Sequence, residues 1–378
     1  MKQKIAIVRG KYLDRYEMQS YEPLVEKFDL TAFGSQTAFH TTFAFPTVKL
    51  VSPLDLPDFP KRMPLLNRLY QDAQYLYGLE SSLKGFAIAH TAETYFHLTY
   101  QALIAKKKGY VKKIVVTEWE NIPFNNEGIR GRSAMKQYAL QHADHFIAVS
   151  QRSKLTLLLE GADEKKISVI SPGIDTRLFS SPQNDEKQKV RKNQINLLYV
   201  GRLVISKGVY ELLYALVLLC QDKELQKFAL RLSLVGSGPE KEKLILLARK
   251  LHISDVITFA NVTYEEMPNT YQKANIFVAP SKEDMYWQEQ WGMALMEAQA
   301  AGLSIVTTRS GSIPENVGEA ALLIQPGDVL SLYQTIKTLI LNPEMRLSLG
   351  KKARQRAERI HDNLITAKKI EEVYELLL

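Results

Sequence analysis

The residues best placed to do chemistry form one short run, Glu289-Gln290-Trp291-Gly292-Met293-Ala294-Leu295-Met296-Glu297, continuing to Gly302. Residues 293–301 are good helix formers, and Gly302 suits a helix end. Gly292 would let a ligand approach the helix N-terminus, and the free N–H groups there favour an anion. Glu289 stands just before the helix, where a carboxylate faces the hydroxyls of a sugar. Glu297 lies more than one turn inside, where a carboxylate accepts two hydrogen bonds from a ribose diol. Spacing alone leaves a second reading open, in which the two acids are ordinary surface charge.

A second run supplies cations. Gly201-Arg202-Leu203-Val204-Ile205-Ser206-Lys207-Gly208 follows an apolar stretch ending at Val200. Its glycines free the backbone for a tight strand-to-helix turn. Arg202 offers a fork for bidentate contact and Lys207 a point charge, a pairing that suits a pyrophosphate. Taken alone they are equally a surface arginine and lysine. Thr308-Arg309-Ser310-Gly311-Ser312-Ile313-Pro314-Glu315 is a small-residue loop after another apolar stretch, and is alone no more than a turn. Leu234-Val235-Gly236-Ser237-Gly238 is half of a dinucleotide fingerprint without its third glycine, and Val8-Arg9-Gly10-Lys11 has a single glycine. Neither makes a dehydrogenase.

These runs must be held by a regular scaffold. Buried strands are predicted at 5–8, 114–117, 146–149, 197–200, 232–235, 276–279 and 304–307, separated by helical patterns. Continuous apolar strands of this kind imply parallel sheets covered on both faces, hence doubly wound α/β and not an all-β barrel. Ser180 to Asn193 is polar, charged and nearly free of apolar residues, as a linker should be. The expected division is an N-terminal domain of residues 1–180 and a C-terminal domain of 181–360. Residues 353–378 are helical by pattern, and either pack back on the first domain or cap the second. Ligands bind at the carboxyl ends of strands in such sheets, so two facing sheets would make a cleft.

Composition removes other classes. Hydrophobic residues make up 46% and charged residues 24%, which is ordinary globular usage and excludes wholesale disorder. The longest apolar run, Leu212 to Cys220, falls far short of the ~20 residues that a spanning helix needs. No signal peptide is read at the start, and the one cysteine, Cys220, forms no internal disulfide, so a reducing, cytoplasmic setting is expected. The net charge of +8 lies mostly in the first 180 residues, densest at Lys106, Lys107, Lys108, Lys112 and Lys113. That patch is either a solvated helix end or a surface for an anionic membrane. No nucleic-acid motif accompanies it.

Taken jointly and in order, the Gly-Arg-Leu…Lys-Gly turn, the Glu-x7-Glu run and the Ser-Gly-x-x-Pro-Glu loop resemble the family-four glycosyltransferases of the GT-B fold. Ala148-Val149-Ser150 and Pro172-Gly173-Ile174-Asp175…Phe179 belong to the same pattern. The resemblance implies two Rossmann-like domains facing a cleft, with a C-terminal helix, about 361–378, crossing back to the first. It implies that Arg202 and Lys207 bind the donor diphosphate, with Gly292 and Met293 offering backbone N–H groups. Glu297 would hold the ribose, Glu289 the donor sugar, and Val262 would lie near the base. The implied reaction moves a hexose from a UDP-, GDP- or ADP-sugar to a glycan, lipid-linked or other hydroxyl acceptor, with retained anomeric configuration. No cofactor is implied, and no Asp-x-Asp occurs, which agrees with a metal-independent site.

The first half departs from the pattern. The family's His-x-His reads His90-Thr91-Ala92-Glu93 here, and its later Thr-x-His reads Thr117-Glu118-Trp119-Glu120. His90, Glu93 or Glu120 would then serve the acceptor side, Glu93 favoured because it adjoins the missing histidine. Arg9 or Lys11 would touch the diphosphate or merely solvent. His142 and His145 have metal-ligand spacing without a third ligand. A helical stretch with Leu65, Leu66, Leu69, Tyr70, Tyr75 and Tyr77 beside Lys61, Arg62 and Arg68 either packs in the core or rests on a membrane peripherally. Two rivals stand beside transfer: another GT-B enzyme, such as an epimerase or phosphorylase, and a non-catalytic nucleotide-sugar-binding subunit. The base, hexose and acceptor are not legible.

Overall fold

The computed structural model describes residues 2–179 and 193–378. Two all-parallel sheets carry the fold. The first contains β1 (Lys4–Gly10), β2 (Asp29–Ser35), β3 (Thr47–Leu50), β4 (Phe86–Ala92), β5 (Val111–Glu118), β6 (His145–Ala148) and β7 (Ile167–Val169). Their order is β3-β2-β1-β4-β5-β6-β7. The second contains β8 (Gln194–Val200), β9 (Ala229–Val235), β10 (Ile257–Ala260), β11 (Ile276–Ala279), β12 (Ser304–Thr308) and β13 (Ala321–Ile324), in the order β10-β9-β8-β11-β12-β13. Each sheet is doubly wound, as the continuous apolar runs predict. The central strands are apolar on both faces because helices cover both. Ile5, Ala6, Ile7 and Val8 are wholly buried, as are Ile276, Phe277 and Val278.

Both sheets reverse their winding beside their first strand, between β1 and β4 and between β8 and β11. Registers there pair Ile7 with His90 and Phe277 with Leu198. The loops leaving the two strands diverge at such a point and open a crevice at their carboxyl ends. Arg9-Gly10 and His90 to Glu93 occupy that position in the first sheet. Gly201 to Gly208 and the loop after Ala279 occupy it in the second.

The chain forms two compact units, Met1–Ile174 with Asn363–Leu378, and Asp175–Asp362. The expected linker, 180–193, lies outside the described residues except for Asn193. The helical run expected over 353–378 is not continuous. A helix at Pro343–Arg356 passes into a wider π turn at Ala357–His361, and Asp362 is extended before a new helix, Asn363–Leu377. His361 is wholly buried in that turn, and its Nε2 donates to the Asn316 carbonyl at 3.1 Å. Helix Asn363–Leu377 buries Ala367, Ile370, Val373 and Tyr374 in one cluster with Ile5, Ile7, Phe28, Ile88 and Val115. The core of the second unit joins β8, β9 and β11 to helices Val209–Gln221 and Val329–Leu341.

Candidate functional site

In the second unit the sheet order brings together residues far apart in sequence. Lys207 leaves the turn after β8 and Glu289 lies in the segment after β11; the Lys207 Nζ donates to Glu289 Oε2 at 2.6 Å. Ser281, two residues past the end of β11, donates its hydroxyl to the same oxygen at 2.8 Å. The ammonium also stands 4.9 Å from the centre of the Trp287 ring. Glu289 is buried, which alone would discourage its charge. The ammonium of Lys207 outweighs burial, Ser281 and Arg202 add to it, and the carboxyl lies below its ordinary value. Arg202 is exposed beside it. The result is a fixed carboxylate paired to Lys207, with the charge of Arg202 adding to its field.

The backbone around Glu289 is clamped. The loop after β12 supplies Ser310, whose hydroxyl accepts from the Glu289 N–H at 3.3 Å, and Ser312, whose N–H donates to the Glu289 carbonyl at 2.9 Å. That loop is therefore a brace for Glu289, beyond the plain turn its composition allows. The lysine turn is braced as well: the Lys282 N–H donates to the Ser206 carbonyl at 2.8 Å. Gly208, at φ 69°, approaches so closely that a Cβ there would stand 1.8 Å from the Pro280 carbonyl oxygen. The Gly236 and Gly238 pair serves a similar end. Added Cβ atoms would lie 2.1 Å from the Gly201 carbonyl and 2.3 Å from that of Leu203. These glycines let two strand-end turns of the sheet touch backbone to backbone.

Helix Met293–Ala300 begins at Gly292, at φ 85°, and no side chain caps its first turn. Glu297 lies inside this helix, almost wholly buried. Tyr271 donates its hydroxyl to Glu297 Oε2 at 2.7 Å, while Oε1 is buried with no hydrogen-bond partner. Burial pushes this carboxyl up to about 7, with the Tyr271 bond opposing. A half-buried Val262 follows the end of β10 at the edge of the same sheet. Ser310 belongs to the Ser-Gly-x-x-Pro-Glu loop read from sequence, whereas Ser281, Trp287 and Tyr271 were not singled out. Ser281 alone carried a usable signal, its place at the end of an apolar strand.

A pH effect follows from Glu297. The folded state keeps this proton to about pH 7, whereas an ordinary carboxyl loses it near 4.5. The folded state thus holds the extra proton between those values, and stability falls as pH rises through that window. Glu297→Gln keeps an acceptor for Tyr271 and removes the titration. We expect the variant to melt above wild type at pH 8 and to match it near pH 4.5. The difference is of the order of 3 kcal/mol at pH 8. Thermal unfolding across this range checks it, and parallel curves would refute it.

In the first unit the expected acceptor-side residues separate in character. His90 is wholly buried. Its Nδ1 meets the Tyr374 hydroxyl and its Nε2 that of Thr117, each at 2.7 Å, and burial with Arg9 pushes its pKa well below the ordinary value. A neutral ring with both nitrogens occupied is a core tie that joins helix Asn363–Leu377 to the sheet. Glu120 is also spoken for, accepting from the backbone of Asn121 and Ile122 and from the side chains of Asn125 and Asn126 at 2.7–3.0 Å. It pins its own loop. Glu93 differs. It sits at φ 61°, buried, at the end of β4. Burial first, and then the neighbouring carboxyl of Glu118, push it well above its ordinary range. Glu118 in turn is pushed up to about 7, burial first.

Arg9 does not reach toward a ligand. It is buried, bound to Glu17 through Nε at 2.9 and 3.0 Å, to the Tyr21 hydroxyl at 2.8 Å and to the His90 carbonyl at 2.9 Å. Lys11 bonds the Thr37 hydroxyl at 2.8 Å. His142 stacks on Tyr138 and His145 bonds Ser168, and no group of three metal-ligating side chains occurs among the described residues.

Comparison with known proteins agrees with this geometry. The profile for group 1 glycosyl transferases matches residues 180–356, and that for glycosyltransferase family 4 matches residues 30–178. A D-inositol 3-phosphate glycosyltransferase from Corynebacterium jeikeium is 30% identical over 59% of this chain and 55% of its own length. The chain thus spans little more than half of that relative. The capsular polysaccharide biosynthesis glycosyltransferase CapM of Staphylococcus aureus is 27% identical over 65% of this chain and 64% of its own. Among solved structures, Anabaena HepE in complex with UDP superposes with a TM-score of 0.76 at 17% identity, covering 99% of both chains. Sucrose-phosphate synthase from Thermosynechococcus elongatus gives 0.76 at 20% identity, covering 100% of this chain and 99% of its own. With both halves matched by profiles and both sheets wound alike, the chain belongs to the family-four glycosyltransferases of the GT-B fold.

Proposed function

We propose that this protein transfers a hexose from a nucleoside diphosphate sugar to a hydroxyl acceptor, with retained configuration and without a metal ion. The observation that carries the reading is the Lys207–Glu289 pair, fixed at the switch point of the second sheet beside the uncapped start of helix Met293–Ala300. Arg202, Lys207 and the N–H groups at Gly292 and Met293 would take the diphosphate. These groups supply, near a leaving phosphate, the positive charge that a metal supplies elsewhere. Glu289, held ionised, would accept from hydroxyls of the sugar. The unpartnered Oε1 of Glu297 is suited to a ribose hydroxyl. Val262 would stand near the base. Relatives solved with UDP and with UDP-glucose support a uridine donor as the first to try.

In the proposed step the bond from sugar C1 to the diphosphate oxygen breaks and its electron pair leaves with the nucleoside diphosphate. The acceptor oxygen bonds C1 from the same face, and its proton passes to the departing phosphate. The protein positions the partners and neutralises charge. On the acceptor side Glu93, buried beside Glu118 and raised above the ordinary carboxyl range, would be the group with a proton to exchange. Among the described residues no helix is long and apolar enough to cross a membrane. A glycan or lipid-linked acceptor reached from the cytoplasmic side suits the exposed surface described below.

Incubating the purified protein with UDP-, GDP- and ADP-glucose, with and without EDTA, tests the reading. Release of one nucleoside diphosphate is expected, unchanged by EDTA, with the freed hexose first appearing as the donor's own anomer by proton NMR. The matching nucleotide should raise the melting temperature by mass action. The opposite anomer would overturn retention, EDTA inhibition would overturn metal independence, and no binding or turnover with any donor would favour a non-catalytic role.

A further inference from the structure

One surface of the first unit is left over. The segment from Leu56 to Leu69 exposes Leu56, Phe59, Met63, Leu65 and Leu69, at 39–67% of their surface. Its helix, Arg62–Tyr70, buries only Leu66, against Leu54 and Ala73. Exposed large apolar side chains are individually common, but a continuous run of them on one short helix and its lead-in marks an interaction surface. Cations surround it. Lys61, Arg68 and Arg130 are exposed, and the acid nearest in sequence, Asp58, contacts Arg62 at 3.5 Å. Arg68 and Arg130 also line a cavity of about 570 Å³ with Asn67, Leu69 and Ile129. Two guanidinium groups lining a hollow of mixed polar and apolar walls, next to the exposed leucines, suit a phosphate attached to an apolar tail.

We propose that this face docks on an anionic phospholipid bilayer, with Leu65, Leu69 and Met63 entering the interface and Arg68 and Arg130 holding a lipid phosphate. Charge complementarity decides the occupant. A second copy of this chain would bring the same excess of cations to its own cations, whereas an anionic leaflet attracts them. The combination also satisfies the need for two weak signals, apolar and basic, in reversible anchoring. The lysine-rich stretch near residue 110 is a poorer candidate because much of it is already paired: Lys106 and Lys113 with Asp144, Lys108 with Glu80. The proposal deepens the glycosyltransferase reading by bringing its acceptor side to a lipid surface.

Flotation of the purified chain with phosphatidylcholine vesicles, with and without phosphatidylglycerol, tests it. Wild type should bind the anionic vesicles at least tenfold better, and lose this advantage in high salt. Leu65→Asp with Leu69→Asp should reduce binding to the phosphatidylcholine level. Arg68→Ala with Arg130→Ala should remove most of the lipid preference and its salt dependence. Both variants should keep wild-type circular dichroism and donor hydrolysis in solution, so a failure of docking is distinguishable from a failure of the transferase reading. Equal binding to both vesicle types, or unaltered binding by the leucine variant, would overturn the proposal. A dimer that the leucine variant dissociates would overturn it in favour of self-association.

Discussion

Glu289→Gln is expected to lower donor turnover by roughly 10²–10³-fold while leaving the melting temperature within a few degrees of wild type. Glutamine has the shape to keep contacts with Ser281 and Lys207, whose bonds to Glu289 measure 2.8 and 2.6 Å. What it removes is the negative charge that the two neighbouring cations hold in place. Lys207 then keeps only a neutral acceptor, so its ammonium is held less firmly where the diphosphate would lie. Steady-state release of nucleoside diphosphate, with thermal unfolding alongside, measures both quantities. Normal turnover would remove Glu289 from the reaction; a collapse in stability would show it to be mainly structural.

Gly208→Ala should be the most damaging single methyl in the second unit. Its Cβ would meet the Pro280 carbonyl oxygen at 1.8 Å, at a backbone φ of 69° that alanine adopts only under strain. Backbone cannot yield as the end of a side chain can, so the turn carrying Lys207 must move or β11 must shift against β8. The expected cost is about 4 kcal/mol or more, at the extreme of single substitutions. Gly327→Ala is the control: φ is 81°, and no atom lies within 4 Å of the added methyl. It should cost only about 1 kcal/mol, the conformational penalty alone. Chemical denaturation of both variants gives the comparison. Equal losses would mean that the close approach at Pro280 contributes nothing.

How much of this was legible beforehand depended on burial. All seven strands expected from apolar runs are present, because a strand covered on both faces must be apolar throughout. Edge strands escaped: β3, β7 and β13 lie at the ends of their sheets, and β3 and β7 are half exposed. Strand β2, inside its sheet, escaped because Asp29, Thr31, Gly34 and Ser35 interrupt its apolar character. At the site, residue type was readable but partnership was not. Lys207 and Glu289 meet across 82 residues only because β11 lies beside β8. The glycines at 236 and 238, half of a nucleotide fingerprint by spacing, are explained by backbone touching backbone. Arg9 shows the converse limit: its place after the first strand suggested an anion, while its partners, Glu17 and Tyr21, come from the following helix and turn.

The Tyr374–His90 hydrogen bond joins groups separated by 284 positions. Every residue of the second unit is translated between them. During synthesis the N-terminal sheet must therefore wait, with Ile5, Ile7, Phe28 and Ile88 lacking the apolar cover that Ile370, Val373 and Tyr374 later provide. The inserted unit has no such debt and is able to complete itself first, since contacts close in sequence form soonest. The earliest-made strands thus gain their full cover only once the last helix has been synthesised.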